Sequence, residues 1–326
     1  MEKQVKHSRC HMLCVMLVAA IALSQPLEIA NAAQPESLTG SVSVNMGKIG
    51  GRDRRYVLYV PRDLRPGAPL VFVFHGGGGD GPLIRESAGF EFDMLADRDG
   101  FVVVYPDGIG SGWNSCRKRV NNEAKLQRID DVGFIEAIIA HEQTVHGIDT
   151  KRVFATGHSF GGQISYRLAL ERPNEFAGIA AISANLPVAG DNDCAIAEGS
   201  IPVMIMNGTD DPVSPYRGGR TGRGIASGNS LSTEATADFF LKRNAISAAA
   251  EVVRLPHAVA SDPTWVERTS WGESGKSPVA LYTIHGGGHV VPQPYYRFPT
   301  AVGRQTKDLD APAAIWEFFS HLPARP

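Results

Sequence analysis

The sequence lacks an excess of charge of either sign. Its 326 residues include 32 Lys and Arg and 34 Asp and Glu, which gives a formal net charge of −2. Proteins that bind nucleic acid or anionic membranes usually carry clustered positive charge. The composition therefore gives no reason to expect nucleic acid or a membrane as a partner.

The apolar run near the N-terminus is too short to cross a bilayer. Met12 to Ser24 spans 13 residues, whereas a membrane-spanning helix needs about 20. The run follows the basic residues Lys3, Lys6 and Arg9 and precedes Ala30-Asn31-Ala32, which has the small-x-small pattern of a cleavage site. This order is typical of a secretory signal peptide, and an uncleaved anchor is the alternative. We expect residues 1–32 to be removed and a catalytic domain, residues 33–326, to be secreted to the periplasm or the medium.

Cysteine is scarce, and the predicted signal peptide contains two of the four. Cys116 and Cys194 remain in the mature chain. An even pair in an oxidising compartment favours a disulfide, with two buried free thiols as the alternative. The bridge would close a loop of 78 residues.

The mature chain has no Pro/Ser/Thr linker, no internal repeat and no long run of like charges, so we expect a single domain. Apolar runs instead alternate with helical patterns. The predicted strands are 56–60, 70–74, 102–105, 153–156, 179–182, 203–207 and 279–284, and the predicted helices are 84–99, 130–146, 160–172, 232–246 and 311–322. This alternation predicts an α/β fold with one doubly wound, mostly parallel sheet.

One segment interrupts the alternation. Tyr216 to Asn229 contains five glycines and three arginines. Such a composition predicts a loop, and a solvated surface insertion is favoured over a functional loop beside a site.

The pentapeptide Gly157-His158-Ser159-Phe160-Gly161 has the form Gly-x-Ser-x-Gly. With 35 glycines in the chain, chance alone would produce this pattern in roughly one such sequence in four. Its context makes it informative, because it follows a predicted strand and opens a predicted helix. That is the nucleophile elbow of an α/β-hydrolase, in which the serine hydroxyl stands above the sheet. We therefore predict that Ser159 is a nucleophile and not an N-cap serine in a glycine-rich turn.

A neutral serine needs a base to take its proton and a carboxylate to orient that base. In α/β-hydrolases the acid and the base follow the serine in that order, each on a loop after a later strand. The candidates are Asp210 or Asp211 after strand 203–207, and His285 or His289 around the end of strand 279–284.

Asp211 is favoured because Pro212 fixes the turn behind it, and Asp210 fits a local turn or a solvent-facing position. His289 is favoured because Gly286, Gly287 and Gly288 carry the chain away from the strand end, whereas His285 still belongs to the strand. A metal site on the two histidines would need a helix, which three glycines disfavour. No metal and no cofactor are expected.

Ester hydrolysis also needs hydrogen-bond donors for the oxyanion of the tetrahedral intermediate. One donor should be the backbone N–H of Phe160, and the other should come from the loop after an early strand. His75-Gly76-Gly77-Gly78-Gly79 follows strand 70–74. We predict Gly77 as the second donor, with Gly76 or Gly78 as alternatives, and His75 as a brace for the loop. A phosphate-binding loop is disfavoured, because no Gly-Lys-Ser/Thr follows.

Together these motifs resemble the secreted polyhydroxybutyrate depolymerase and feruloyl-esterase-like α/β-hydrolases, from about Tyr56 to Phe319. Further landmarks are Tyr105-Pro106-Asp107-Gly108, Trp113, residues 130–135 and residues 207–212. The resemblance implies a serine esterase with the triad Ser159, Asp211 and His289. It also implies that Asp131 stabilises the fold near a helix start and that Trp113 lines the substrate pocket, with an aromatic packed under a loop as the alternative.

The sequence departs from the family at two positions. The family usually has an aromatic residue two positions after the catalytic histidine, where this chain has Val291, and a histidine is common where this chain has Asn207. The first change removes an expected wall of the acyl pocket, so the family name does not identify the substrate.

Ser183 to Pro202 is too short for a cap domain, so we expect no large cap and an open site. The chain also stops near the end of the predicted fold, so we expect no appended polymer-binding module. Expected substrates are small-molecule or polymer-linked esters of aromatic acids, acetate or oligomeric hydroxyalkanoates. A serine peptidase and a non-catalytic carbohydrate- or polymer-binding protein are the alternatives. The sequence does not determine the oligomeric state.

Overall fold

A computed structural model describes residues 37–222 and 228–325. The predicted signal peptide, residues 1–32, lies outside the described residues. The strands are β1 Ser41–Ile49, β2 Arg52–Val60, β3 Leu70–Phe74, β4 Val102–Pro106, β5 Val153–His158, β6 Gly178–Ile182, β7 Val203–Gly208, β8 Gly219–Arg220, β9 Asn229–Ser230, β10 Glu251–Arg254, β11 Trp265–Trp271 and β12 Val279–His285.

The helices flank these strands in chain order. They are α1 Gly81–Ser87, α2 Glu91–Asp99, α3 Glu123–Leu126, α4 Asp131–His146, α5 Phe160–Glu171, α6 Thr233–Arg243 and α7 Ala311–Ser320, with 3-10 turns at Ile109–Ser111, Ala189–Asp191 and Thr300–Val302. None of the described helices is both long and apolar enough to cross a membrane.

Ten of the described strands form one sheet, in the order β1-β2-β4-β3-β5-β6-β7-β12-β11-β10. The six central strands, from β4 to β12, are parallel to one another. Two antiparallel strands extend the sheet at each end. The predicted α/β-hydrolase fold with a mostly parallel central sheet is confirmed, and the described residues contain no large cap; β8 and β9 form a separate two-stranded sheet.

The central parallel strands are buried on both faces, which explains the continuous apolar runs of the sequence. Alternate residues of β3 point in opposite directions, so Phe72 packs on one face and Val71 on the other. On the first face α4 and α5 contribute side chains such as Phe134 and Ile164. On the second face α1, α2 and α7 contribute side chains such as Ile84, Phe92 and Ile315. The carboxyl ends of the parallel strands are therefore left to the connecting loops.

The predicted helix 84–99 is wrong in one respect, since the structure has two helices there. Gly89 and Phe90 take positive φ values of 70° and 58° between α1 and α2. A left-handed pair of residues breaks the helical hydrogen-bond ladder. The pattern analysis also missed β1, β10 and β11, which lie at or next to the sheet edges and consist mostly of exposed and half-buried residues.

A buried ion pair joins strand β2 to helix α4. Arg54 Nη2 donates to Asp131 Oδ1 at 2.8 Å, and both side chains are inaccessible to solvent. The other oxygen, Oδ2, accepts from the backbone N–H of Asn114 at 2.7 Å. Asp131 is the first residue of α4, where the helix dipole also favours a negative charge. It lies at the helix start where the family resemblance implies a stabilising role.

The predicted disulfide between Cys116 and Cys194 is present. The two segments also pair through their backbones, because Lys118 N donates to Asp191 O at 2.8 Å and Asp193 N donates to Cys116 O at 3.1 Å. The bridge thus fixes the loop after β4 against the connection between β6 and β7.

Replacement of both cysteines in the double variant Cys116→Ala/Cys194→Ala should lower the free energy of unfolding. A crosslink that closes 78 residues restricts the unfolded chain, and the loss should be about 2–4 kcal/mol. Urea denaturation of the two proteins measures the difference. Dithiothreitol should destabilise the wild type but not the double variant, and equal denaturation midpoints for both proteins would contradict the prediction.

Candidate active site

Ser159 lies at the sharp turn between β5 and α5. Its backbone has φ 57° and ψ −113°, a conformation that a non-glycine residue adopts only when its surroundings impose it. One such contact is the hydrogen bond from Ser159 N to Ile182 O at 2.8 Å. The turn leaves the serine at the N-terminus of α5, above the carboxyl edge of the sheet.

The two glycines of the pentapeptide allow this turn because a side chain would collide at either position. A Cβ on Gly161 would lie 2.0 Å from Phe74 O, and one on Gly157 would lie 2.5 Å from the carbonyl carbon of Gly161. The Gly-x-Ser-x-Gly spacing therefore reflects the close approach of α5 to the end of β3.

Asp211 and His289 meet at the same edge of the sheet. His289 Nδ1 and Asp211 Oδ2 are 2.7 Å apart, and both side chains are almost fully buried. Asp211 Oδ1 accepts hydrogen bonds from the backbone N–H groups of Val213 and Ser214, each at 2.7 Å. Three donors therefore hold the carboxylate in one orientation, which leaves Nε2 of the imidazole for other partners.

The two rejected candidates lie elsewhere. The side chain of Asp210 is 59% exposed and its Oδ1 accepts from Thr209 Oγ1 at 3.2 Å. His285 is the last residue of β12 and stacks flat on Trp265, with ring centroids 3.5 Å apart. Neither takes part in the Asp211–His289 pair.

A cavity of about 260 Å³ opens beside Ser159. Its lining residues are Gly77, Arg117, Ser159, Phe160, Gln163, Ser183, Val213, Ser214, Thr221, Gly222 and His289. Ser159 and His289 thus face one space, with Asp211 behind the histidine. Among the described residues no group of three or more His, Cys, Asp or Glu side chains is arranged to hold a metal ion.

Some backbone N–H groups of the glycine loop, residues 75–79, donate hydrogen bonds within the described part of the chain and others do not. Gly78 N donates to Ser111 O at 2.8 Å, and Gly79 N donates to Gly76 O at 3.2 Å. Gly77 N makes no backbone hydrogen bond within the described part of the chain. Phe160 is the first residue of α5, and N–H groups in a first turn have no acceptor in their own helix. Gly77 and Phe160, which both line the cavity, therefore have N–H groups to offer.

His75 braces the glycine loop. Its Nε2 accepts from Gly108 N at 2.9 Å, and its Nδ1 lies 2.7 Å from Gly76 O, to which it can donate. This pattern belongs to a neutral imidazole with the proton on Nδ1. Burial lowers the pKa of His75, which favours the same neutral form.

Trp113 does not line the cavity, in contrast to the role that the resemblance implies. Its side chain is completely buried, packs edge-on against Phe74 and donates from Nε1 to His75 O at 3.0 Å. The indole therefore supports the glycine loop from below, as in the alternative interpretation. A tryptophan in a landmark motif does not reveal from sequence on which side of the loop it packs.

Several lining residues were missed by the sequence analysis. Ser183 follows β6 with a positive φ of 53°, and Gln163 lies in the first turn of α5. Arg117 follows the bridged Cys116. Ser183 could have been found because it directly follows a predicted strand, and Gln163 because it follows the predicted elbow. Arg117 could have been found because it follows a cysteine of the predicted disulfide.

The described part of residues 216–229 is mostly exposed, as expected of a solvated insertion, but it also borders the site. Thr221 is only 1% exposed, and Thr221 and Gly222 line the cavity. The short strands β8 and β9 pair within this segment. Residues 223–227 lie outside the described residues.

Asn207 stands where the family commonly has histidine. Its Oδ1 accepts from Ala184 N at 3.0 Å, and its Nδ2 donates to Thr233 Oγ1 at 2.9 Å and to Asn185 Oδ1 at 2.8 Å. The amide therefore joins the loop after β6 to the start of α6. Val291, at the other position of departure, is buried in the core and does not line the cavity.

His158 forms the surface behind the catalytic candidate His289. Their ring centroids are 4.7 Å apart. Burial, followed by the nearby charge of His289, holds the pKa of His158 well below its usual value. His158 is therefore neutral near neutral pH, and a positive charge on His289 meets no second imidazolium.

Comparison with known proteins finds esterases among the proteins similar to this chain. The prolyl oligopeptidase family matches residues 87–193, which contain Ser159 but neither Asp211 nor His289. A putative esterase, NocK, of Nocardia uniformis is 29% identical over 283 residues, which cover 83% of this chain and 80% of that protein. Feruloyl esterase D of Neurospora crassa is 27% identical over 328 residues, which cover 97% and 98% of the two chains.

Among solved structures, an acetyl xylan esterase from Aspergillus awamori superimposes with a TM-score of 0.55. The superposition covers 82% of this chain and 94% of that one at 18% sequence identity. A likeness at this level of identity supports the fold.

The close approach at Gly161 leads to a prediction. Gly161→Ala should destabilise the protein by about 2 kcal/mol or more and abolish most activity, because the methyl group must displace the carbonyl of Phe74. Gly190→Ala is the matched control, since its Cβ would meet nothing within 4 Å, and it should change stability by no more than about 0.5 kcal/mol. Thermal unfolding and ester hydrolysis of both variants test this, and equal behaviour would refute it.

Proposed function

This chain is a feruloyl-esterase-like α/β-hydrolase and a carboxylic ester hydrolase, and from that premise we propose that it works through a Ser159–His289–Asp211 triad. The observation that carries the proposal is the 2.7 Å contact between His289 Nδ1 and Asp211 Oδ2, on a histidine that shares a cavity with Ser159. A base oriented by a carboxylate and facing a serine at an elbow is the arrangement that activates a hydroxyl.

In the first step the Ser159 Oγ–H proton passes to Nε2 of His289 while Oγ attacks the ester carbonyl carbon. The C–O bond to the serine forms, and the carbonyl oxygen becomes an oxyanion. Asp211 remains ionised and stabilises the imidazolium. The N–H groups of Phe160 and Gly77 stabilise the oxyanion, because neither is used by its own helix or loop.

The tetrahedral intermediate then breaks down. The alcohol departs with the proton from His289, and an acyl-enzyme on Ser159 remains. A water molecule next gives a proton to His289 and attacks the acyl carbon, after which Ser159 recovers its proton and the acid leaves. His158, held neutral by burial, adds no second imidazolium beside His289 during both steps.

The proposed substrates are esters of aromatic acids, acetyl esters or oligomeric hydroxyalkanoate esters, as in an enzyme of the polyhydroxybutyrate depolymerase or feruloyl esterase type. Relatives named feruloyl esterase support this class. Only a 3-10 turn, Ala189–Asp191, interrupts the described connection between β6 and β7. A site without a cap admits an ester that is attached to a bulky alcohol.

A serine peptidase is the second candidate, because the prolyl oligopeptidase family matches the segment around Ser159. The same triad chemistry cleaves amides. Peptide p-nitroanilides assayed beside p-nitrophenyl esters distinguish the two activities.

We also propose that the protein acts outside the cytoplasm. The Cys116–Cys194 disulfide supports this location, because such bridges persist in oxidising compartments. The signal-peptide pattern of residues 1–32 is a second line of support.

Substitution of the triad residues tests the mechanism. Ser159→Ala and His289→Ala should each reduce kcat for p-nitrophenyl butyrate by about 10³-fold or more, and Asp211→Asn by about 10³–10⁴-fold, because each loss disables the same step. Asp210→Asn is the matched control, since this neighbouring carboxylate faces solvent. Its kcat should stay within about twofold of the wild type, on the order of the scatter of surface substitutions.

The two aspartate variants decide between the neighbouring carboxylates. A loss of activity in Asp210→Asn with none in Asp211→Asn would reject the assignment of the acid. A Ser159→Ala protein that hydrolyses esters at the wild-type rate would reject the triad itself.

The cavity lining also predicts a preference for acyl-chain length. Arg117, Gln163, Ser183 and Thr221 place polar groups in the wall of the cavity, and an apolar chain that displaces water from these groups leaves them without partners. We therefore expect kcat/KM to be higher for p-nitrophenyl acetate and butyrate than for the octanoate. A rise in kcat/KM from butyrate to octanoate would contradict this, and methyl ferulate, acetylated xylan and 3-hydroxybutyrate oligomers complete the panel.

A further inference from the structure

Arg117 is a buried cation in the wall of the cavity beside Ser159. Arg117 is only 5% exposed, yet it lines the same cavity as Ser159 and His289. Its Nε is buried and makes no hydrogen bond within the described part of the chain. A buried guanidinium whose hydrogen bonds are not all satisfied is costly, and the part of Arg117 that lines the cavity can donate to a ligand there.

The surroundings do not fully balance the charge of Arg117. Asp191 is the carboxylate that acts on it, and the same carboxylate also faces Arg119 and Asn229. Its Oδ1 lies 2.8 Å from Arg119 Nε, and its Oδ2 accepts from Asn229 N at 2.7 Å. None of the described residues that line the cavity is an aspartate or a glutamate.

Arg117 nevertheless remains positively charged. Burial lowers the pKa of Arg117 to about 10, and Asp191 acts in the opposite direction. Near neutral pH the side chain is therefore protonated, and an anion in the cavity would be attracted to it through a low-dielectric space.

The backbone around Arg117 is held in place. Residue 116 is bridged to Cys194, Arg117 forms a β-bridge with Asn192, and Lys118 N donates to Asp191 O at 2.8 Å. A guanidinium on such a support presents its donors in a preorganised fork, which suits a carboxylate.

We propose that Arg117 binds a carboxylate of the substrate, so that the enzyme prefers esters that carry a free carboxylate close to the scissile bond. The inference rests on the proposed function and extends it to one substrate class. Such a carboxylate is present in the alcohol portion of a 3-acyloxy acid, as at the end of a hydroxyalkanoate oligomer, and in the acyl portion of a dicarboxylic acid monoester. Arg117 is therefore a specificity-determining residue.

Two pairs of substrates test the proposal without any variant. In the first pair, 3-acetoxybutyrate and its methyl ester differ by a carboxylate on the alcohol side, and released acetate is measured. In the second pair, methyl hydrogen glutarate and dimethyl glutarate differ on the acyl side, and released methanol is measured. The wild type should show a kcat/KM for the charged member at least about tenfold above that of the neutral member in one pair, as expected for a charged hydrogen bond. The pair that shows it identifies the side of the ester that faces Arg117.

Variants then assign the preference to Arg117. Arg117→Gln should lower the charged-to-neutral ratio of kcat/KM by roughly tenfold to a hundredfold. Arg117→Lys should lower it less, because an ammonium keeps the charge but loses the bidentate geometry. Lys118→Gln is the matched control, since it removes an exposed positive charge one residue away and should leave the ratio unchanged.

Three outcomes would overturn the proposal. They are equal kcat/KM values for charged and neutral members in both pairs, an Arg117→Gln ratio equal to that of the wild type, and an equal fall of the ratio in Lys118→Gln. If thermal unfolding shows that Arg117→Gln does not fold, a wild-type ratio in Arg117→Lys overturns it instead. Hydrolysis that persists in Ser159→Ala would reject the triad, whereas Ser159-dependent hydrolysis without a charge preference rejects only the role of Arg117.

Discussion

At Gly157 and Gly161 the strand β5, the helix α5 and the end of β3 approach one another with no room for a methyl group. A Cβ on Gly161 would lie 2.0 Å from the carbonyl oxygen of Phe74. This contact sets the start of α5 beside the glycine loop that follows β3. It also holds Ser159 in its unusual backbone conformation, since the chain must turn at once from strand to helix. The positions of the proposed nucleophile and of the proposed oxyanion donors therefore share one structural cause.

The positions of Asp211 and His289 depend instead on hydrogen bonds between buried polar groups. One carboxylate oxygen of Asp211 accepts from the backbone N–H groups of Val213 and Ser214, and the other contacts His289. Asn207 similarly joins the loop after β6 to α6. Buried polar groups with satisfied hydrogen bonds have one favoured orientation. These hydrogen bonds consequently fix the loops after β6, β7 and β12 relative to one another, although the loops are far apart in the chain.

Arg117 departs from this pattern of satisfied polar groups. It is buried, charged and without an acceptor for its Nε in the described part of the chain. The residues around it are among the most firmly anchored, through the disulfide and the pairing with residues 191–193. A rigid support beneath an unsatisfied donor is characteristic of a binding site, where the ligand completes the hydrogen bonds.

Much of the fold could be predicted because its central strands are buried on both faces and therefore form continuous apolar runs, such as Leu70–Phe74. Strands β1, β10 and β11, at or next to the edges of the sheet, were not predicted, because they are partly solvated and their apolar patterns are weak. The break between α1 and α2 was not predicted either, because it depends on the positive φ of Phe90, and phenylalanine rarely adopts this conformation.

By itself the sequence determined the fold class and the candidates Ser159, Asp211 and His289. Each follows directly after a buried strand, and parallel strands bring their carboxyl ends to one edge of the sheet. Only the tertiary structure decided what surrounds them. The structure places Trp113 beneath the glycine loop and not in the pocket wall, and it places Arg117 and Thr221 in that wall. The reason is that cavity walls come from loops distant in sequence, whose side-chain directions depend on the disulfide, the bridges and the packing that join them.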